Sequence, residues 1–188
     1  FSGQFRPRFN ITNDTSDDSS GRNSFDTRVR LNAKANANAN TEVFLQFQST
    51  GVWGNAGATS GSRVGNTAAS INDSLNEIGF HQATLTLKKF MGQAVDAKIG
   101  RQEVVLDGHR LFGHTGWTTG GASVDAIRPD HSAGNHSLSY IYIASVENGS
   151  ESATQAANYD LHVVRAATQG VMGGNLAGYF VVSDDDSA

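Results

Sequence analysis

Five cations fall within two neighbouring stretches near the start of the chain, and their spacing is the first chemical signal in it. Arg6 and Arg8 alternate with Phe5, Pro7, Phe9 and Ile11; Arg28, Arg30 and Lys34 alternate with Val29, Leu31 and Ala33. Successive side chains of an extended strand point to opposite faces, so each stretch has one cationic and one apolar face. A guanidinium is permanently charged and forks onto carboxylates through paired N–H donors. Rows of such groups on one wall attract an anionic solute and pass it between equivalent sites, which is how Arg and Lys rings serve anion pores. The competing reading is that they pair with acids on the same face, Asp26 and Glu42, and brace the wall.

Three further cations are weaker candidates. Arg101 is in phase with the apolar Val95, Ala97 and Ile99. Either a bulge after Ile99 moves it to the polar side, or it sits at a membrane interface, because a charge facing lipid at midplane costs about 2–4 kcal/mol. Arg110, with Asp107 and His109, falls in or near a Gly/Thr-rich segment that can fold inward. Arg128, like Arg165, stands alone in its strand. The histidines lack Cys or Glu partners at metal-ligand spacing, and no nucleophile elbow, phosphate loop or paired catalytic carboxylate is present. Absent cysteine excludes disulfides, thiolate metal sites and covalent haem. No enzyme activity, metal or cofactor is expected. A net charge of -4 with 17 % charged residues gives no reason to expect a nucleic-acid partner.

The elements that would carry these residues are strands. Residues 25–35 alternate apolar and polar without error, which is the period of a strand. Similar patterns predict strands over 4–12, 25–35, 42–50, 77–88, 95–106, 124–130, 137–145, 159–167 and 176–183. The intervening segments alternate between long and polar (13–23, 54–74, 109–122, 146–158) and short (35–40, 89–94, 132–135, 168–175). Long loops on one side and tight turns on the other are the habit of up-and-down outer-membrane barrels. Trp53 and Phe25 lie near strand ends, where an interfacial aromatic girdle would sit. No run of 18 apolar residues exists, so a transmembrane helix is not expected.

The expected fold is therefore all-β: an antiparallel up-and-down transmembrane β-barrel forming a single domain over 1–188. Bacterial single-chain barrels have even strand numbers, and open edges are not viable in lipid. Nine strands accordingly suggest the N-terminal part of a larger barrel.

An ordered series of short motifs points the same way. Gly100-Arg101-Gln102-Glu103 precedes Arg110-Leu111-Phe112-Gly113, then Trp117, then Val124-Asp125-Ala126-Ile127-Arg128. With Phe80-His81-Gln82-Ala83-Thr84-Leu85 and Phe5-Arg6-Pro7-Arg8-Phe9 upstream, the series resembles the N-terminal half of the alginate-export family of outer-membrane porins. The resemblance spans about residues 4–128. It implies a barrel of about 16–18 strands, about half of whose wall this chain supplies, with an arginine-rich lumen through which an anionic polysaccharide leaves the cell. One departure is Pro129 directly after the last motif, since Pro lacks the N–H a central strand uses.

Taken together, an outer-membrane porin is expected, with Arg6, Arg8, Arg28, Arg30, Lys34, Arg101, Arg110 and Arg128 as lumenal, substrate-binding candidates. The expected partners are outer-membrane lipid and an anionic solute or polysaccharide. The alternatives are a structural barrel that binds a periplasmic or outer-membrane protein, and a soluble carbohydrate-binding β-sandwich.

Overall fold

Alternating side chains need a neighbouring strand on each side, and the chain supplies them in sequence order. The computed structural model describes residues 1–12, 22–52, 78–144 and 159–185. Its strands are β1 Ser2–Thr12, β2 Arg22–Asn38, β3 Thr41–Val52, β4 Gly79–Leu87, β5 Val95–Gln102, β6 Val124–Ala133, β7 His136–Ile143, β8 Tyr159–Val171 and β9 Gly174–Asp185. They form one nine-stranded sheet in the order β1 to β9, so every strand lies beside its sequence neighbours. The all-β, up-and-down antiparallel arrangement read from the sequence is present.

The connections that follow β1, β3, β5 and β7 are long, and those between are short. In an antiparallel meander the two kinds leave from opposite strand ends. The expected loops over 54–74 and 146–158, Trp53, and all of 13–23 except its last two residues lie outside the described residues. The short connection between β8 and β9 is tighter than expected. Met172 and Gly173 both have positive φ, 50° and 78°, the two-residue hairpin geometry whose twist matches that of the flanking strands.

Residues 103–106 were expected to continue β5, and they do not. The chain leaves the sheet after Gln102, passes a short 3₁₀ turn at Asp107–His109, and does not rejoin it before Val124. Val104 and Leu106 instead pack with Ala126, Ile141, Ile143 and Val163, flanked by Phe112 and Tyr179. Period two in the sequence reported which side chains seek cover, not whether the backbone stays paired. Pro129 is accommodated inside β6: it lies opposite Ala97 of β5, and the β6–β7 pairing passes from Ile127↔Tyr142 to Asp130↔Ser139.

Two compact units can be distinguished among the described residues, one within 1–33, 46–81 and 115–122, the other within 34–45, 82–114 and 123–188. In the second unit the 103–113 segment is fastened by charge. Arg165 donates from Nε and Nη2 to the Asp107 carboxylate at 2.6 and 2.5 Å, and the Tyr179 hydroxyl donates to the same group. The Arg165 hydrogen bonds hold the Asp107 carboxyl below its ordinary pKa. A depressed carboxylate stabilises the fold above its unfolded pKa, about 3.9, and that contribution fades as pH falls through the lower folded value. Asp107→Asn is expected to loosen this segment at neutral pH by about 1 kcal/mol after solvent screening. Hydrogen exchange at Val104–Phe112 should rise in the variant at pH 7, and the difference from wild type should shrink on acidification.

Gly100 fixes the course of β5. Its φ is +114°, and a Cβ there would stand 2.3 Å from the Ala83 carbonyl oxygen. Gly100→Ala is expected to cost about 1–3 kcal/mol, read as a lowered unfolding temperature. Across this residue the pairing is unbroken: Ile99, Gly100 and Arg101 face Ile127, Ala126 and Asp125 in turn.

Candidate functional site

The first unit places the four expected arginines on one face of β1 and β2. Arg6 stands directly opposite Arg28, Gln4 opposite Arg30, and Arg8 opposite Asp26. Like charges directly across a strand pair repel unless acceptors intervene. The acceptors come largely from residues 115–122, whose backbone carbonyls lie against this face. Arg6 donates to the carbonyls of Gly116 and Thr118, both at 2.7 Å. Arg28 reaches the same two oxygens at 3.4 and 3.3 Å and donates twice to Gln4 Oε1. Arg8 donates to the Trp117 carbonyl at 2.8 Å, to Thr119 Oγ1 at 2.6 Å and to Asp26 at 2.8 Å. Its guanidinium also lies 5.9 Å from the centre of the Trp117 ring, within range of a cation–π attraction.

Arg30, like Arg28, is buried. It donates to Gln48 Oε1 at 2.5 Å and meets His81 Nε2 at 2.9 Å. Because a guanidinium has only donors, that nitrogen of His81 acts as the acceptor and its proton sits on Nδ1. Gln48 completes the link by donating to the Gly120 carbonyl at 2.7 Å. The covering segment is shaped by its own bonds, Thr118 N to the Thr115 carbonyl at 2.9 Å and Gly121 N to Thr118 Oγ1 at 3.0 Å. Gly121, at φ 77°, supplies the left-handed turn. Two donors remain within the cluster: the Nε–H groups of Arg6 and Arg8 are buried and have no hydrogen-bond partner among the described residues.

The other sequence candidates lie elsewhere. Lys34 pairs with Glu42 at 2.8 Å. Arg128 pairs with Asp130 at 2.9 Å on its own strand, and Ser139 also donates to Asp130. Arg110 is exposed in the segment after the 3₁₀ turn. Arg101 keeps the phase of Ile99 and binds Asp125 with two hydrogen bonds, 3.0 and 2.8 Å, on the side that carries exposed Ile127. No bulge moves it to the side of Lys98 and Gln102, so the register answers the question its phase left open. Among the described residues no group of three or more metal-ligating side chains is placed to hold a metal ion.

Gln4, Gln48 and His81 were not foreseen as members of the cluster. Amides and imidazoles on the polar face of a strand carry no distinctive spacing, and backbone carbonyls carry no sequence signature. The one legible hint was the Thr/Gly-rich composition of 115–121, which lets a backbone approach closely.

No protein-family model matches this sequence, and no curated protein is similar to it.

Proposed function

We propose that the chain forms part of the wall of an outer-membrane channel whose arginine face conducts anionic solutes or an anionic polysaccharide. The observation that carries this reading is the inverted distribution of polarity. Among the described residues of the first unit, eight polar or charged side chains are buried and no apolar one is, while Phe5, Phe9 and Ile11 stand exposed. A soluble sheet does the opposite, burying its apolar face and wetting its polar one. A strand wall between lipid and a polar interior gives the distribution seen here. Arg6, Arg8, Arg28 and Arg30 concentrate positive charge on that interior.

A second reading has its own observation. Residues 115–122 occupy the arginine face with carbonyl oxygens, as in a barrel that is closed and serves as a scaffold. Efflux from vesicles separates the two. With the full-length protein reconstituted, an acidic oligosaccharide is expected to escape faster than a neutral one of equal size. Equal retention of both would remove the channel reading and leave the scaffold.

A further inference from the structure

We propose that a shallow groove on the apolar face of β6–β9 holds one acyl chain of a membrane phospholipid. This rests on the reading of that face as lipid-facing. The groove has a volume of about 580 Å³ and lies at the end of the strands where the short turns are. Its floor is made by Ala166 and Gly178, which face each other across the β8–β9 ladder, and its walls by Leu138, opposite Ala166, and Leu176. These residues share a face because each is an even number of steps from the next along its strand, or directly across from it. The floor is open: a Cβ added at Gly178 would meet no heavy atom within 4 Å.

The occupant is identified by how polarity changes along the groove. Towards mid-strand it runs into Val164 and Phe180, a directly opposed pair that is exposed and apolar. At the turn end its mouth carries His136 and Thr168, a directly opposed pair, and His131 borders the groove beside Leu138. His131 Nδ1 lies 2.7 Å from the Ala94 carbonyl, so that nitrogen donates and Nε2 remains for an outside partner. The lining contains no Asp, Glu, Lys or Arg, which leaves nothing for a charged partner segment to recognise. One hydrocarbon end, one hydrogen-bonding end and no ionic contact match a lipid chain that enters from the headgroup layer. Elsewhere on the same face larger apolar side chains stand exposed, Ile127 and Tyr140 among them.

The test uses the full-length protein in vesicles of phosphatidylethanolamine and phosphatidylglycerol that contain a small fraction of phospholipid brominated on its acyl chain. Trp53 and Trp117 are changed to Phe, and one reporter is introduced, Phe180→Trp beside the groove or Leu31→Trp on the exposed apolar face of β2. Bromine quenches a tryptophan it touches. Quenching at position 180 is expected to show the brominated lipid enriched about fourfold over the Leu31→Trp control, equivalent to about 0.8 kcal/mol. Adding Gly178→Leu, which fills the floor, should return it to the control value. Equal quenching at both positions would overturn the groove site while leaving the lipid-facing reading intact. Absence of quenching at both would overturn that reading as well, and absence at 180 alone would mean that protein, for instance a second copy of this chain, covers the groove.

Discussion

Replacing residues 115–121 in the full-length protein by a short Gly-Ser link is expected to raise single-channel conductance severalfold and to preserve anion preference. Arg6, Arg8, Arg28 and Arg30 direct donors onto the carbonyls of Gly116, Trp117, Thr118 and Gly120. These are charge-assisted bonds, each worth about 1.5–3 kcal/mol against an unmade one, so the segment lies firmly on the cations it covers. Removing it exposes four fixed positive charges to water, where a passing carboxylate can take the place of the carbonyls. The path widens because backbone is gone, and selectivity persists because the charges are not. Anchorage of residues 103–113 through Asp107 and Arg165, in the second unit, is untouched by the replacement, so the change reads out the covering segment alone. An unchanged, closed protein after the replacement would favour the scaffold reading.

The second large effect is expected from Arg6→Gln combined with Arg8→Gln. Glutamine keeps hydrogen-bonding capacity and removes the charge, so stability should fall less than with an apolar residue. Anion preference should drop towards none, because half of the four-arginine cluster is neutralised. Arg101→Gln is the matched control. Arg101 lies on the face of Ile127, paired with Asp125, and its loss should leave ion preference where it was. If Arg101→Gln changed selectivity as much as the double substitution, the assignment of the two faces would be wrong.

How far the sequence anticipated this structure depends on what each feature is made of. The pairing of β1 with β2 and the shared face of Arg6, Arg8, Arg28 and Arg30 were readable, because unbroken alternation leaves one choice of side for each residue. The end of β5 was not. Val104 and Leu106 continue the alternating pattern, yet the backbone turns away through Asp107, Gly108 and His109, all at positive φ. Only Gly108 advertises that conformation. The turn at Met172 and Gly173 was blurred for a related reason: Gly170, Gly173 and Gly174 suggested a longer loop, whereas β8 continues to Val171 with an irregularity after Gln169. Arg101 was undecided because the sequence shows its phase but not whether Gly100 bulges. The pairing of Arg101 with Asp125 across an unbroken ladder decides it. The acceptors of the arginine cluster were hidden most completely, since carbonyl oxygens belong to every residue and only the fold says which are brought to bear.

Whether the arginine face lines a path for anions is read from the reversal potential of the full-length protein in a planar bilayer under a salt gradient. The sign expected is that of anion selectivity, weakening as ionic strength rises and the guanidinium charges are screened over about 10 Å at 0.1 M. A cation-selective reversal potential, or no conductance either before or after residues 115–121 are replaced, would contradict it.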